Sequence, residues 1–429
     1  MALLRHLSRS QIPITFGELS KFFLSYIKKK SITLKATCIH LVWDTYPEVS
    51  IKSGEQSRRR AASGTAVFHL SGESQKVPRS FQQYLSNGKN KEALISFFLK
   101  CRQKDINTLQ DVPLFFAHGK TCHKLENLNG ATSKHAVSSL FCDHQEADSR
   151  MMMHTVYAAR SSSSIIILSP DTDVFILALS CVYKINSASN LFVLSSQCTL
   201  YNMTLLKNTF SEQQCKALLG FHCFTGCDSV SSFRNKGKKT ALQVLSKTPV
   251  FFRSFAELGE SWDPSDGLCQ ELESYVCRLY GGTETSVDQA RLNLFKKKKA
   301  NELALPPTMD SLYLHIRRAA YQAGIWRRCC DQDIEPPAPE LHGWVLTDKN
   351  RLDLKWSTLP DVPSIVTDFV QCACKTGCSG VRCSCRRKGM SCTELCECSQ
   401  CENLPCHDDC HIYSSDEEQE CSDSDTDLE

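Results

Sequence analysis

Nine cysteines fall within thirty residues near the end of this 429-residue chain, and no other feature constrains its folding as strongly. Their spacing is C-x-C-x3-C-x4-C-x-C-x6-C-x3-C-x-C-x2-C. Three separate tetrahedral zinc ions would need twelve ligands, but nine thiolates suffice when three of them bridge two ions each. The spacing therefore predicts a shared zinc cluster, and nine thiolates are enough ligands for three ions. The predicted ligands are Cys372, Cys374, Cys378, Cys383, Cys385, Cys392, Cys396, Cys398 and Cys401.

A cluster of three zinc ions and nine thiolates carries a charge of minus three, which basic side chains in the same block can offset. These side chains, Lys375, Arg382, Arg386, Arg387 and Lys388, would also present a basic surface. A metal store of the metallothionein kind is the alternative interpretation. The first six residues lack the continuous apolar stretch of a secretory signal, so we expect thiols or metal ligands rather than a disulfide scaffold.

The formal net charge of +3 hides an uneven distribution of charge along the chain. The sequence has 50 basic and 47 acidic residues, and eight of the acids lie in the last sixteen positions. The rest of the chain has 50 basic against 39 acidic residues, a net charge of +11. A basic body predicts a polyanionic partner. The most apolar stretch, 165–183, contains two aspartates and a proline, which argues against a membrane span.

From about residue 15 to 287, short runs rich in β-branched residues alternate with helical patterns. This alternation predicts an α/β fold built on a parallel sheet with flanking helices. Helices are expected over 17–27 and 147–160, and strands over 38–43 and 164–168. The predicted division is an α/β domain over 1–280, a helical, Pro-containing linker over 281–345, a zinc-cluster domain over 346–405 and a disordered acidic tail over 406–429.

Six acidic residues fall at informative points of this α/β pattern. Three follow predicted strands, two open the helix of 147–160, and one lies in a Gly-Cys-Asp turn; they are Asp44, Asp171, Asp173, Glu146, Asp148 and Asp228. If these carboxylates converge on one sheet edge, cations must lie between them, and hard oxygen ligands select Mg²⁺ or Mn²⁺. Up to two ions are expected. The alternative is that each acid is a helix cap or turn residue.

The order of these motifs and the residues in them resemble the flap-endonuclease-like branch of the PIN-like nucleases. The resemblance covers Val-Trp-Asp, Lys-Ser-Gly-Glu, Glu-Ala-Asp, Asp-Thr-Asp and Gly-Cys-Asp, roughly over 16–245. It implies that the six acids bind two divalent metals for phosphodiester hydrolysis, and that Lys52 and Arg59 contact the scissile phosphate. The family's first strand and its aspartate have no counterpart before the first helix, so sequence leaves open whether catalysis is retained.

The stretch 231–242 looks like the helix-turn-helix with which that family grips duplex phosphates. In this interpretation Gly237 lets the DNA backbone approach, and Lys236, Lys238 and Lys239 supply charge. A solvated, basic helix start is the alternative.

The cysteine block is similar to the tesmin/TSO1-like CXC domain over about 371–403, and more loosely to the cysteine block that precedes SET domains. The CXC resemblance implies three zinc ions and binding to double-stranded DNA, with Arg382, Arg386, Arg387 and Lys388 as candidate contacts. Here there is one copy of the motif, and an arginine stands where a DNA-contacting tyrosine is common.

Together these patterns predict a nuclear, DNA-associated protein with a structure-specific, metal-dependent nuclease-like domain. A basic run at 296–299 is compatible with nuclear import. The alternative function is a catalytically inactive protein that binds DNA or chromatin proteins, a mobile-element relic being one version of it. A third interpretation has the carboxylate pattern as coincidence in an unrelated α/β scaffold. No membrane partner is expected, and the oligomeric state is not predicted.

Overall fold

The computed structural model describes residues 4, 7–47, 49–51, 54, 66–104, 112–128, 131–195, 198–298, 305–348, 350–359, 372–387, 389–392 and 396–403. The chain divides into two compact units, Met1–Thr358 and Leu359–Glu429. No helix in the described ranges is both long enough and apolar enough to cross a membrane. The larger unit is a mixed α/β structure, and the smaller one contains the cysteine block.

The first sheet of the larger unit has the order β1-β2-β3-β4. Its strands are Ile39–Leu41 (β1), Leu114–His118 (β2), Thr121–Leu128 (β3) and Ala131–Ala136 (β4). Strands β1 and β2 are parallel, whereas β2, β3 and β4 pair antiparallel. One side of this sheet buries a core with Phe23 and Phe98, whose rings stack with centroids 4.9 Å apart.

The second sheet contains Ser164–Leu168 (β5), Asn190–Leu194 (β6) and Leu200–Asn202 (β7). Strands β5 and β6 are parallel, and β6 and β7 antiparallel. The expectation of a parallel sheet is therefore wrong for β3, β4 and β7, since the described strands form small mixed sheets. The physical reason is visible at Gly119 and Lys120: a connection of two residues joins β2 to β3, and only antiparallel neighbours can be joined so tightly.

Most of the regular secondary structure described in the larger unit is helical. They are Phe16–Thr33 (α1), Phe81–Tyr84 (α2), Gly88–Lys104 (α3), Ala147–Ala158 (α4), Thr172–Cys181 (α5), Met203–Lys207 (α6), Glu212–Phe224 (α7), Lys238–Lys247 (α8), Phe251–Glu257 (α9), Asp266–Leu279 (α10), Val287–Lys298 (α11) and Met309–Arg327 (α12). The helices expected over 17–27 and 147–160 are confirmed as α1 and α4. Helix α1 begins with a capping box, in which Thr15 Oγ1 accepts from the Glu18 amide and the Glu18 carboxylate accepts from the Thr15 amide.

Helix α12 lies in the middle of the larger hydrophobic core. Its buried side chains include Leu312, Ile316 and Trp326, and α7 and α9 pack nearby. The predicted linker over 281–345 thus includes a helix that packs into the core of this unit. Gly220 in α7 lets the two helices approach closely, because a Cβ there would collide with the Phe255 carbonyl oxygen of α9. A short hairpin, Trp344–Leu346 (β8) and Leu352–Leu354 (β9), follows.

The smaller unit is described over 372–387, 389–392 and 396–403. It has two short parallel strands, Thr376–Gly377 (β10) and Ser399–Cys401 (β11), and one helical turn, Ser384–Arg387 (α13). Its buried side chains are cysteines. A segment with so little regular structure needs a further source of stability, such as a structural metal. The acidic tail predicted over 406–429 lies outside the described residues.

Candidate metal centres

The first acidic residue, Asp44, lies three positions after β1 and is held against the start of α4. Its Oδ1 accepts a hydrogen bond from the Ala147 amide at 3.0 Å, and the Tyr46 hydroxyl donates to Oδ2 at 3.1 Å. The Thr45 amide also donates to the Gln145 carbonyl at 2.8 Å. These bonds bring the end of β1 to the turn that carries Glu146 and Asp148, although about a hundred residues separate them in sequence.

Glu146 and Asp148 occupy the N-terminus of α4, as the sequence predicted. Glu146 is the N-cap residue and Asp148 lies in the first turn. Their carboxylates therefore stand where the helix dipole favours negative charge. Both are partly exposed, which leaves them accessible from solvent.

Asp171 lies three residues after β5 and caps α5. Its Oδ1 accepts from the Asp173 amide at 3.0 Å, so the capping alternative is correct for this residue and does not exclude a second role. Desolvation raises the pKa of the exposed Asp171, and the negative charges of Asp173 and Asp228 raise it further. Three acids from two distant segments thus act on one another.

Asp228 reaches this neighbourhood through a tight turn after α7. Gly226 adopts φ +114°, a conformation that side-chain-bearing residues rarely adopt, and a Cβ there would press on Ser232. The Cys227 amide then donates to the Val230 carbonyl at 3.0 Å. The glycine of the Gly-Cys-Asp motif is therefore required by the turn that presents Asp228.

Two residues that were not predicted from the sequence, His222 and Trp326, link Asp173 to Glu146. His222 Nε2 lies 2.8 Å from Asp173 Oδ1, and both side chains are largely buried. Trp326 packs its ring 5.8 Å from the His222 ring, centroid to centroid, and its indole nitrogen donates to Glu146 Oε2 at 3.4 Å. His222 lies four residues before the Gly-Cys-Asp motif, which is only a weak indication in the sequence that it belongs to the site. Trp326 lies in α12, outside the stretch that resembles the nucleases, and nothing in the sequence indicates that it belongs to the site.

The expectation that the acids share one sheet edge is wrong, because Asp44 follows β1 of the first sheet and Asp171 and Asp173 follow β5 of the second. We still call the six acids the carboxylate edge, for the strand and helix ends on which they lie; they are Asp44, Glu146, Asp148, Asp171, Asp173 and Asp228. The hard oxygen atoms of the carboxylate edge are the donors that Mg²⁺ and Mn²⁺ prefer. Within the described residues, however, the groups of three or more potential ligand atoms that lie within 4.8 Å of one another are formed by cysteines. The carboxylate oxygens are thus spaced more widely than the ligand shell of a single ion. Binding of Mg²⁺ or Mn²⁺ stays a prediction.

The predicted phosphate contacts fall into two classes. Lys52, Arg59 and Lys388 lie outside the described residues. At the start of α8, Gly237 is the N-cap residue with open space around it, and Lys239 is exposed. Lys236 places its ammonium 4.9 Å from the centre of the Tyr280 ring.

Lys238 lies at the start of α8, but its side chain contacts the end of α7 close to the carboxylate edge. Its ammonium donates to the His222 carbonyl at 2.8 Å and to Thr225 Oγ1 at 3.1 Å. Desolvation lowers the pKa of Lys238, and the neighbouring Cys227, Cys223 and Asp173 oppose that change. This lysine fixes the end of α7 beside Asp173, so its side chain is engaged within the protein.

The nine cysteines of the smaller unit form overlapping groups of four. Four such groups have all their sulfur atoms within 4.8 Å of one another, and every predicted zinc ligand belongs to at least one of them. Cys372 and Cys392 each belong to three groups, as bridging ligands would. Measured Sγ–Sγ distances are 3.7 Å from Cys372 to Cys378, 3.8 Å from Cys372 to Cys392, 3.7 Å from Cys383 to Cys392 and 3.6 Å from Cys385 to Cys396. Two thiolates on one tetrahedral zinc ion lie about 3.8 Å apart, given a Zn–S bond of about 2.3 Å.

Backbone amides and basic side chains surround these sulfur atoms. The Arg386 amide donates to Cys383 Sγ at 3.5 Å and lowers the pKa of that thiol to about 6. The Cys372 amide donates to Cys396 Sγ at 3.4 Å, and Asn403 donates to Cys392 Sγ at 3.4 Å. Such bonds orient and stabilise thiolate ligands. The cluster can therefore hold a metal such as zinc.

The arginines predicted to contact DNA lie on the surface of the cysteine cluster. Arg382, Arg386 and Arg387 are all exposed. The Arg386 guanidinium donates to the carbonyls of Cys378 and Ser379, at 3.1 and 2.7 Å, which ties it to the loop around the metal ligands. Arg382 and Arg387 extend the same basic surface.

Comparison with known proteins does not assign this chain to a family. No protein-family model matches it, and neither a curated protein nor a solved structure matches it significantly. The resemblances to flap-endonuclease-like nucleases and to CXC domains consequently rest on the motifs alone.

Proposed function

We propose that this protein is a DNA-associated, nuclear protein with a divalent-metal-dependent phosphodiesterase domain and a zinc-cluster DNA-binding module. The observation that carries the proposal is the carboxylate edge: acids from three separate chain segments are linked through Ala147, Trp326 and His222. Asp228, from a fourth segment, lies close enough for its charge to raise the pKa of Asp171. Such convergence is costly unless cations compensate the charge, and the raised pKa of Asp171, which desolvation and the neighbouring carboxylates cause, is consistent with that cost.

The residues of the edge have distinct parts in this proposal. Asp171, Asp173 and Asp228 would bind metal from one side, and Glu146 with Asp148 from the other. Divalent ions in such a site activate a water molecule and stabilise the leaving oxygen of the phosphodiester. His222 holds Asp173 through its Nε2, and Lys238 donates to the His222 carbonyl at the end of α7. The rest of the basic start of α8 would bind the DNA backbone.

The smaller unit supports DNA as the polyanion. A metal-loaded cysteine cluster is rigid, and exposed Arg382 and Arg387 on its surface are suited to phosphate contacts. Binding through such contacts falls steeply with added salt, because each neutralised phosphate releases counterions.

A cleavage assay with matched variants tests the enzymatic part of the proposal. The full chain is incubated with branched and single-stranded DNA in Mg²⁺ or Mn²⁺. We expect cleavage by the wild type and a loss of at least ~100-fold in D171N/D173N, because two candidate ligands lose their charge. D348N removes the same kind of charge from an exposed turn and should cleave normally. Equal rates in all three proteins would refute the carboxylate edge as the active site.

The second candidate function is a catalytically inactive protein that binds DNA or chromatin. Hydrogen bonds within the protein already occupy several of the acids, which favours this alternative. Both carboxylate oxygens of Asp44 accept hydrogen bonds, and Asp173 Oδ1 lies within hydrogen-bond distance of His222. This alternative predicts salt-sensitive DNA binding without cleavage in any metal, with the same affinity in wild type and D171N/D173N.

A further inference from the structure

We propose that Cys181, Cys329, Cys330 and His144 form an additional zinc site inside the larger unit. It lies apart in sequence from the predicted zinc cluster, and none of its four residues was singled out as a ligand by its spacing. The site would be structural, holding together the elements that carry the carboxylate edge.

Three cysteine sulfur atoms meet in the core of the larger unit. Cys181 is the last residue of α5, and Cys329 and Cys330 follow the end of α12. Cys181 Sγ lies 3.2 Å from the sulfur of each of the other two, and all three sulfurs lie within 4.8 Å of one another. Cys181 and Cys329 are each 1% exposed, so these thiols are held in place by the surrounding core.

His144 lies in the segment before α4 and its ring nitrogens are not among the ligand atoms within 4.8 Å of one another, so its free ring nitrogen would move toward the sulfurs when a metal binds. Its Nε2 lies 2.8 Å from the carbonyl oxygen of Asp331, the residue after Cys330, and must donate its proton there. The neutral ring then keeps a lone pair on Nδ1, which is buried and has no hydrogen-bond partner in the described part of the chain. Metal-binding histidines are usually oriented in this way by a backbone carbonyl.

The electrostatics of the cluster favour a neutral imidazole and a thiolate at Cys330. Hydrogen bonds among the three thiols and burial leave the pKa values of Cys181 and Cys329 raised, so those two protons leave as the metal binds. Hydrogen bonds from Cys181 and Cys329, followed by the charge of Lys184, lower the pKa of Cys330. Desolvation lowers the pKa of His144, which keeps the ring neutral. Three thiolates and Zn²⁺ carry one net negative charge, and Lys184 lies close enough to balance it. Although desolvation opposes the change, the three cysteines raise the pKa of Lys184.

The spacing of the sulfur atoms favours a metal over a disulfide. A disulfide bond is about 2.05 Å long, well below the observed 3.2 Å. Thiolates on tetrahedral zinc lie about 3.8 Å apart, so each of the two sulfur pairs that include Cys181 would need to spread by about 0.6 Å. Soft sulfur with imidazole is a donor set that selects zinc over Mg²⁺ or Ca²⁺.

The position of this site gives it a structural role. It would join the end of α5, the end of α12 and the segment before α4. Asp171 and Asp173 lie at the start of α5, and Trp326 lies in α12. Glu146 is the N-cap residue of α4. A zinc ion here would fix the three elements relative to one another, and with them the carboxylates.

Zinc content of the full-length chain tests this inference. We expect C181S/C329S/C330S to contain about one zinc ion per chain less than the wild type. Cys277 is similarly buried, and it belongs to none of the groups of potential metal ligands found among the described residues. C277S should therefore keep the wild-type zinc content. H144A should bind the ion more weakly, and H144C should restore it. An unchanged zinc content in the triple variant would refute the site.

A second measurement needs no variant and so survives any folding defect. Native protein is alkylated with and without a zinc chelator, and the modified cysteines are mapped by mass spectrometry. Cys330 should react only after chelation, whereas exposed Cys198 should react in both samples. Equal modification of Cys330 in both samples, or a disulfide between Cys181 and either partner in the zinc-loaded protein, would overturn the proposal.

Discussion

The carboxylate edge and the cysteine cluster both contain several potential metal ligands, but of these two sets, as far as the structure describes them, only the cysteine sulfurs are packed as closely as the ligands of one ion, and the two sets are assembled in opposite ways. The nine cysteines lie within thirty residues and meet through short loops and one helical turn. The six acids come from positions 44 to 228 and meet only because β1, β5, α4, α5 and α7 pack into one unit. One site therefore depends on local spacing and metal, and the other on the whole fold.

The largest effect should come from removing two cysteines that belong to three groups each. C372S/C392S is expected to abolish zinc binding by the smaller unit and unfold it, because metal binding in such modules supplies on the order of 10 kcal/mol of folding free energy. C374S, which alters a member of one group, should lose only part of the zinc. Metal analysis and circular dichroism measure both. If C372S/C392S keeps its structure without zinc, the small unit does not depend on metal.

For the carboxylate edge, the next largest effect should come from Trp326, whose ring is 2% exposed. W326A opens a cavity between α12 and His222 and should lower the free energy of unfolding by about 3–5 kcal/mol. W326F keeps most of the ring packing and loses the hydrogen bond to Glu146, so its cost should be much smaller. Denaturant unfolding measures both variants. Similar losses for W326A and W326F would show that the hydrogen bond, rather than the packing, matters most.

A smaller loss is expected for H222A, because it leaves the largely buried Asp173 without its 2.8 Å partner. Leaving a buried polar group unpaired costs about 1–3 kcal/mol. H69A changes an exposed histidine in the same unit and should have little effect. Thermal unfolding would compare them, and a stability for H222A equal to that of H69A would argue against a contact chain through His222.

The smallest expected effect is a gain in stability. Desolvation, together with Asp173 and Asp228, raises the pKa of Asp171, so ionisation of this carboxyl destabilises the folded state. The penalty begins as the pH rises through the ordinary value of 3.8 and is complete above the raised folded pKa. D171N keeps the helix cap, because asparagine caps as well as aspartate. It should therefore be slightly more stable than wild type at pH 7 and equal to it below pH 3.8.

Added divalent metal sharpens the same comparison. If the carboxylate edge binds Mg²⁺ or Mn²⁺, millimolar metal should raise the melting temperature of the wild type and have less effect on D171N. If metal raises the melting temperatures of wild type and D171N equally, the metal binds at a site other than the carboxylate edge. Stabilising substitutions at functional sites commonly trade stability against activity, which the cleavage assay would register for D171N.

Much of the local structure was predictable because it follows from short-range pattern. The helix at Phe16–Thr33 and the strand at Ser164–Leu168 follow from amphipathic and β-branched runs. The antiparallel strands β3 and β4 were missed, since His-, Lys- and Ser-containing segments do not show the apolar run of a buried strand. The contribution of α12 to the core was also missed, because the proline pair before it marked a boundary in sequence but not in packing.

The sequence by itself determined the candidate ligands of both sites. For the cysteine cluster it determined nearly everything, because ligands a few residues apart cannot move far from one another and a metal draws them together. For the carboxylate edge it supplied the acids at the ends of strands and the starts of helices. Only the tertiary structure decided that His222 and Trp326 connect those acids, and that Cys181 meets Cys329 and Cys330 across nearly 150 residues. The physical reason is that side chains so far apart in sequence are brought together by core packing, which no local pattern records.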